Sequence, residues 1–185
     1  MIYLVRHGLD DERFIGGYSD VGLTDIGIKQ INDVGKWLLQ YDFDIRKIYS
    51  SDIKRALQSA EIIREYLNLD IFIDIGLREQ NKGFLNGMRK DDAATLYPEY
   101  IKLDDVNMCY PDGESLSDLY IRVNELLKNI SIYDNSLIVT HRGVINILYY
   151  LTLGDDLDMN KERYNVCHAS VHEFDVCKSR IRRIR

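Results

Sequence analysis

A chain of 185 residues with 45% hydrophobic and 29% charged residues has the composition of a soluble globular protein with one substantial core. Its net charge of −6 argues against nucleic acid or an anionic membrane as a general partner, so an anionic ligand would need a local group of arginines. There is no apolar run of about 18 residues and no signal peptide, and the three cysteines lack disulfide or zinc spacing, so we expect a cytoplasmic protein.

The first predicted element is a short buried strand, residues 2–5, that ends in Arg6-His7-Gly8. Ligands of open α/β sheets bind beyond the carboxyl ends of the strands, and glycine lets the backbone turn closely there. A cation beside a potential nucleophile at such a place indicates phosphate chemistry. An ordinary surface Arg-His pair at a turn explains this tripeptide equally well.

Helix and strand patterns alternate through the rest of the first half. Thr24 is a potential N-cap for a helix that continues to Tyr41, and residues 45–49 form the next predicted strand. Residues 50–52, Ser-Ser-Asp, are expected to cap a second helix over residues 53–67, and residues 71–73 are a third strand.

Residues 76–114 are the least regular segment, with one short helix predicted near residues 89–96. An excursion of this length within a compact domain is usually functional, commonly a lid or a substrate wall. We find no linker, so residues 1–185 are interpreted as a single domain in which residues 76–114 cover the substrate.

The second half repeats the alternation. Ser115 and Asp118 have the form of a capping box before a helix, and the buried strand of residues 137–140 ends in His141-Arg142-Gly143. An apolar helix over residues 144–153 and two closing strands, residues 166–176 and 179–185, follow. This order predicts an α/β fold in three layers, with a largely parallel central sheet flanked by helices.

Three residues of this pattern are candidates for one site. His7 and His141 follow two buried strands, and in a parallel sheet those strand ends lie at the same edge. Arg55 lies near the start of a helix, where its guanidinium and the free N–H groups can bind an anion. Taken alone, Arg55 is more often a solvated surface residue.

Six segments, in order, carry a family resemblance. They are Leu4-Val5-Arg6-His7-Gly8, the Gly22-Leu23-Thr24 segment, Ser50-Ser51-Asp52 with Lys54-Arg55-Ala56, Leu77-Arg78-Glu79, Pro111-Asp112-Gly113-Glu114-Ser115 and Val139-Thr140-His141-Arg142-Gly143. Together they resemble the histidine phosphatase superfamily in its phosphoglycerate-mutase-like branch, which includes α-ribazole phosphatases and broad-specificity phosphatases.

The resemblance implies a role for each matching residue. His7 would be the nucleophile that forms a phosphohistidine, with its pKa held down by the nearby arginines. Arg6, Arg55 and His141, with Gly8, would bind the phosphoryl group. Glu79 would be the general acid and then the base. For the first task it must be protonated near neutral pH, and a bound phosphate anion would raise its pKa in that direction. Because arginines supply the positive charge, neither a metal nor another cofactor is expected.

Two departures from the family pattern concern the phosphate site. The loop after Gly8 is short and lacks the Asn that family members use to bind phosphate, which makes Arg13 a possible substitute. Arg142 stands where a small residue is common, and is either a further cation at the site or a solvent-facing side chain.

The compact cover favours hydrolysis over a mutase reaction. The long insertions of cofactor-dependent mutases are missing, and the later part of the cover is acidic, as in Glu99, Asp104 and Asp105. We expect a phosphomonoester hydrolase for a small phosphorylated metabolite, as a monomer or a homodimer. A phosphoglycerate-type mutase and a phosphate-binding protein without turnover are the alternatives.

Two further sequence features have simpler interpretations. His168 and His172 are spaced like a metal pair on one strand face, but no carboxylate motif accompanies them, so ordinary strand residues are expected. The basic residues 180–185 are interpreted as a charged edge strand rather than an anion site.

Overall fold

The strands in the described part of the chain form one six-stranded sheet. The computed structural model describes residues 1–41, 43–101 and 103–185. The strands are β1 (Ile2–Arg6), β2 (Lys47–Ser50), β3 (Ile71–Ile73), β4 (Ser136–Thr140), β5 (Val171–Asp175) and β6 (Arg180–Arg183), and their order across the sheet is β3-β2-β4-β1-β5-β6. The four strands from β3 to β1 are parallel, whereas β5 pairs antiparallel with β1 and β6 pairs antiparallel with β5. The sheet is therefore mixed, with a parallel part that carries the strand ends predicted to bind ligand.

Helices cover both faces of this sheet. They are α1 (Asp25–Gln40), α2 (Lys54–Leu67), α3 (Lys90–Leu96), α4 (Pro98–Ile101), α5 (Leu116–Lys128) and α6 (Arg142–Leu153). Short 3₁₀ turns lie at Ile75–Leu77, Gly83–Leu85 and Ile130–Tyr133. Of these described helices, α6 is the most deeply packed, because every residue from Val144 to Tyr150 is buried.

Side chains along the central strands point alternately to the two faces of the sheet, and this divides the core into two layers. In β1, Ile2 and Leu4 pack with the buried sides of α5 and α6, whereas Tyr3 and Val5 pack with α1 and α2. Since successive strand side chains point to opposite faces, one strand can anchor both helical layers. The predicted three-layer α/β architecture is confirmed.

Several predicted boundaries are wrong in detail. The strand of residues 166–176 is confined to Val171–Asp175, because left-handed backbone at Asn165 and Ala169 keeps the preceding segment irregular. The Ser-Ser-Asp cap of α2 is also wrong: the N-cap is Ile53, without a side-chain hydrogen bond. The Ser115–Asp118 capping box of α5 and the edge position of β6 are confirmed.

The turn after β1 lies directly against the first turn of α1. A side chain at Gly8 would come within 2.5 Å of the Gly27 carbonyl oxygen, and one at Gly27 within 2.1 Å of the Leu9 carbonyl oxygen. Glycine at both positions therefore allows loop and helix to touch by their backbones. This contact fixes where the chain goes after His7.

Among the described residues, no helix combines the length and the apolar character that a membrane crossing requires.

Candidate active site

The ends of β1 and β4 bring the two predicted histidines together. The strands are adjacent and parallel, with Arg6 opposite Thr140, and the amide of His7 donates to the Thr140 carbonyl oxygen at 3.0 Å. The His7 and His141 rings lie with their centroids 5.1 Å apart. Both side chains are buried. The sequence argument that placed them at one sheet edge is borne out by this geometry.

Backbone contacts define the tautomer of His7. Its Nδ1 lies 2.8 Å from the carbonyl oxygen of Gly8, and a carbonyl can only accept, so Nδ1 carries the proton. Nε2 therefore has a free lone pair, and it accepts a hydrogen bond from Arg55 Nε at 3.1 Å. A neutral imidazole with an unprotonated Nε2 is the form that a nucleophile requires.

The surroundings of His7 keep it neutral. Burial lowers its pKa well below the ordinary value, and the charges of Arg55 and Arg6 and the proximity of His141 lower it further. The predicted direction is confirmed, but loss of hydration is the largest cause and the arginines come second.

Arg55 is a buried residue rather than a solvated one. Its guanidinium is 2% exposed, and Nη2 donates to the Gly17 carbonyl oxygen at 2.9 Å while Nη1 donates to Ser19 Oγ at 3.2 Å. The loop after Gly8 thus holds Arg55 from one side, and His7 meets it from the other. A fixed, desolvated guanidinium is well suited to bind a phosphoryl group.

Arg6 is held by the segment before β5. Nη1 donates to the Val166 carbonyl oxygen at 2.8 Å, and Nη2 lies 2.6 Å from His168 Nε2. Its buried Nε has no partner among the described residues. Burial, with a contribution from Arg142, lowers the pKa of Arg6 to about 10, so it remains a cation at neutral pH.

Ser51 sets the orientation of His141. Ser51 Oγ accepts from the amide of Ile53 at 3.2 Å and forms a second hydrogen bond, at 3.0 Å, with His141 Nε2. The buried Nδ1 of His141 has no partner in the described part of the chain. The unpartnered Nε–H of Arg6, and Nδ1 of His141 in the tautomer that carries its proton there, are donors that a phosphoryl oxygen would satisfy.

Glu79 lies against the start of α6. Its carboxylate oxygens accept from the amides of Gln80 at 2.9 Å and Gly143 at 3.2 Å. A side chain at position 143 would come within 2.1 Å of Glu79 Oε1. Gly143 therefore makes room for the carboxylate, a role that the family pattern did not indicate.

A cavity of about 340 Å³ is lined by Arg6, His7, Arg55 and Glu79, whereas His141 is fully buried and not part of its lining. Its charged lining comprises Arg6, Arg55, Lys82, Lys90, Arg142, Lys161, Asp10, Glu12, Glu79 and Asp158, and its aromatic lining comprises Phe14, Tyr100, Tyr110 and Tyr150. The segment 76–114 contributes Gln80, Lys82, Lys90, Tyr100, Ile101 and Tyr110 as well as Glu79. A small polar ligand with apolar parts fits such a lining.

Three residues expected to bind phosphate have different placements. Gly8 packs on α1 and its amide donates to Ser59 Oγ at 3.2 Å, so that amide is already engaged. Arg13 is 72% exposed and paired with Asp11, outside the cavity lining. Arg142 does line the cavity, and its guanidinium also pairs with Glu162. Of the three, only Arg142 is placed to meet a substrate.

A family model agrees with this arrangement. The model for the histidine phosphatase superfamily (branch 1) matches residues 2–185. The chain belongs to the histidine phosphatase superfamily.

Proteins named as phosphatases and proteins named as mutases are both similar to the chain. It is 32% identical over 188 residues to "Uncharacterized phosphatase PhoE" of Bacillus subtilis, covering 98% of this chain and 92% of the relative. It is 31% identical over 177 residues to a "2,3-bisphosphoglycerate-dependent phosphoglycerate mutase" of Allorhizobium ampelinum, covering 86% and 84%. A putative alpha-ribazole-5'-P phosphatase of Escherichia coli superposes with a TM-score of 0.82 at 20% identity, covering 98% and 93%, which shows the shared fold. As a histidine phosphatase, the chain is an enzyme of the phosphatase type.

The surroundings of Glu79 in this histidine phosphatase favour the ionised carboxylate when no phosphoryl group is bound. Burial raises the pKa of Glu79, but the amides of Gln80 and Gly143, with the charges of Arg55 and Lys82, outweigh it and the pKa is lowered. Glu79 is therefore a carboxylate here. A phosphoryl dianion close to it would raise its pKa again, because like charges disfavour ionisation.

Sequence reasoning missed Asp10 and misassigned His168. Asp10 Oδ2 lies 3.4 Å from Arg55 Nε, and Asp10 Oδ1 lies 3.6 Å from His168 Nε2. The prediction of His168 as an ordinary strand residue is wrong, since it precedes β5 and its ring lies 5.6 Å from that of His7. The residues around His168 are small and do not alternate between apolar and polar, and this could have indicated that the segment is not a strand.

His7, Asp10 and His168 are also the described residues that come close enough to share a cation, with ligand atoms within 4.8 Å of one another. Arg55 and Arg6 already contact the ring nitrogens of the two histidines. A divalent ion would lie against two permanent positive charges, so this set does not fit a metal.

Buried neutral histidines make stability depend on pH. Burial lowers the pKa values of His7 and His141, and lowers that of His172 to about 4. The unfolded chain binds protons near pH 6.5 that the folded chain does not, so the stabilisation is fully present above that pH and is lost as the pH falls.

We expect the free energy of unfolding, measured by urea titration, to fall between pH 7 and 5 by up to about 1.4 kcal/mol per pH unit for each such histidine. The His172→Asn variant should show a shallower slope. A free energy that stays constant or rises as the pH falls would contradict the assignment of neutral buried histidines.

Proposed function

We propose that this histidine phosphatase hydrolyses a small phosphomonoester through a phosphohistidine on His7. The observation that carries the proposal is the unprotonated Nε2 of a buried His7 between two buried arginines, Arg6 and Arg55. These cations can neutralise a phosphoryl group without a metal ion.

In the first step, Nε2 of His7 attacks phosphorus and the bond to the leaving-group oxygen breaks. Before the substrate binds, Arg55 Nε donates a hydrogen bond to this lone pair. When the substrate binds, Arg55 Nε donates to a phosphoryl oxygen instead, and the lone pair becomes free to attack. Nδ1 keeps its hydrogen bond to Gly8, which stabilises the positive charge that forms on the ring. The leaving oxygen takes the proton of Glu79, whose pKa the bound dianion has raised.

In the second step, water attacks the phosphohistidine. Glu79, again a carboxylate, accepts the proton of the water as the bond between phosphorus and Nε2 breaks. Inorganic phosphate leaves, and His7 regains its neutral form. The amides of Gln80 and Gly143, which favour the ionised carboxylate, support Glu79 as the base in this step.

A panel of phosphorylated metabolites in ¹⁸O-labelled water tests the proposed function. Hydrolysis gives inorganic phosphate that contains one oxygen from water. Phosphate binding without turnover of any member of the panel would support the binding-protein alternative instead.

A mutase reaction is the second candidate, because cations line the cavity beyond the phosphoryl site. The acidic residues that argued against a mutase, such as Glu99, Asp104 and Asp105, do not line the cavity in the described part of the chain, whereas Lys82, Lys90 and Lys161 do. Interconversion of phosphoglycerate isomers, dependent on a bisphosphorylated primer and without ¹⁸O uptake, would establish this candidate.

The same lysines favour a leaving group with its own negative charge. Lys82 Nζ contacts Gln80 and lies 4.2 Å from the centroid of the Tyr110 ring, and no carboxylate of the described residues forms an ion pair with it. Burial, and then the charge of Lys161, lower the pKa of Lys82 to about 7. An anionic group on the substrate would restore its full charge.

We expect Lys82→Ala to raise KM about tenfold for phosphoesters with a carboxylate or second phosphate, since hydrogen bonds to charged groups contribute roughly 1.5–3 kcal/mol. KM for phosphoesters of neutral alcohols should change much less. Lys128→Ala, on the exposed side of α5, is the control. An equal change for both substrate classes would contradict the proposed contact.

A further inference from the structure

Two residues that the reaction does not use connect the two arginines around His7. Arg55 Nε lies 3.4 Å from Asp10 Oδ2, Asp10 Oδ1 lies 3.6 Å from His168 Nε2, and His168 Nε2 lies 2.6 Å from Arg6 Nη2. The contacts form a continuous path from one arginine to the other. Both Asp10 and His168 have side chains that are only 14% exposed.

The backbone holds both residues in place. Asp10 forms an isolated antiparallel bridge with Leu23, just before α1. The amide of Ala169, next to His168, donates to the His7 carbonyl oxygen at 3.2 Å. The Asp10–His168 pair is therefore a fixed part of the phosphoryl site.

The protonation of His168 follows from its contact with Arg6. A guanidinium can only donate, so His168 Nε2 accepts and carries no proton. Asp10 is a carboxylate: burial raises its pKa, but the charge of Arg55, whose Nε lies 3.4 Å from Oδ2, lowers it. A phosphoryl dianion bound by the two arginines would lie beside this carboxylate, and the repulsion would weaken binding.

We propose that a tetrahedral dianion draws Arg6 Nη2 away from His168, and that His168 then takes up a proton from solvent at Nε2 and pairs with Asp10. The exchange leaves each negative group with a positive partner: the dianion has the arginines, and Asp10 has the imidazolium. Asp10 and His168 are thus positioning residues that couple dianion binding to the uptake of one proton, and affinity rises as the pH falls. The inference rests on the phosphoryl site of the proposed function, though not on turnover.

Other groups near the pair could also bind the proton. The charged and titratable neighbours are Arg6 and His7 at the end of β1, Arg55 in α2, His141 and Arg142 at the start of α6, and Glu79. Among these, His7, His141 and Glu79 are the competing acceptors that an experiment must separate from His168.

Sulfate is a suitable probe, because it stays a dianion across the neutral pH range and binds no proton itself. We expect calorimetry at pH 7, in two buffers with different ionisation enthalpies, to show net uptake of protons when sulfate binds. His168→Asn should abolish most of this uptake. Asp10→Asn should also reduce it, and should tighten sulfate binding at pH 8 by about tenfold because the repulsion is gone.

Asp11→Asn is the matched control. Asp11 follows Asp10 in the chain but pairs with Arg13 outside the cavity, so this variant should bind sulfate and take up protons as the wild type does. NMR of the imidazole nitrogens in the wild-type chain should show His168 Nε2 becoming protonated when sulfate binds. Uptake that persists in His168→Asn, or wild-type binding without uptake, would overturn this inference and leave the proposed hydrolysis standing. Failure of sulfate to bind would contradict the anion site on which both depend.

Discussion

Replacing His7 with Asn is expected to lower kcat for phosphomonoesters by about 10⁴-fold or more, as loss of a nucleophile does in other covalent enzymes. Asparagine can keep a polar contact to Gly8, but it has no nitrogen lone pair with which to attack phosphorus. The buried arginines remain, so the variant should still bind inorganic phosphate. The His7→Asn variant therefore separates phosphate binding from the chemical step.

Rapid-quench labelling with a ³²P phosphoester measures the missing intermediate directly. Wild type should acquire an acid-labile label and His7→Asn should acquire none. His172→Asn is the matched control, because His172 is a buried histidine that contacts Tyr149 and Ser170, and it should keep the label. Label that persists in the His7 variant would falsify the nucleophile assignment.

Replacing Glu79 with Gln is expected to lower turnover by about 10²–10⁴-fold for alkyl phosphates, whose leaving oxygen needs a proton. Glutamine preserves the size of the side chain and one acceptor for the amides of Gln80 and Gly143. It has no proton to transfer. The loss should be much smaller for p-nitrophenyl phosphate, whose leaving group is stable as an anion.

The ratio of the two losses is the informative measurement. Glu125→Gln, on the exposed surface of α5 where the carboxylate pairs with Lys128, controls for removal of a negative charge. Equal losses with both substrates would mean that Glu79 positions the substrate or the start of α6 and does not act as the acid.

The sequence was most informative where structure and chemistry depend on local patterns. Buried strands that end in His7 and His141 could be placed at one edge, because parallel strands in one sheet share a direction. Ser115 could be assigned as a cap because the capping box is a local hydrogen-bond pattern. The fold class and the family followed from such segments in order.

Contacts between distant segments could not be predicted in this way. His168 reaches Arg6 across 162 positions of the chain, and no spacing rule covers such a pair. Glu79 shows the same limit, because its pKa depends on the amide of Gly143, which is 64 positions away. Arg13 was a candidate by charge alone, and its pairing with the neighbouring Asp11 could be seen only in the structure.

The position of β1 has a consequence for the order in which the enzyme becomes competent. This strand leads to the proposed nucleophile and is synthesised before the other described strands, yet its neighbours β4 and β5 lie at residues 136–140 and 171–175. Val166 and His168, which hold Arg6, are made later still than β4. The nascent chain therefore cannot assemble the phosphoryl site until residues 166–168 have been synthesised, and closing these long loops is an entropic cost of folding.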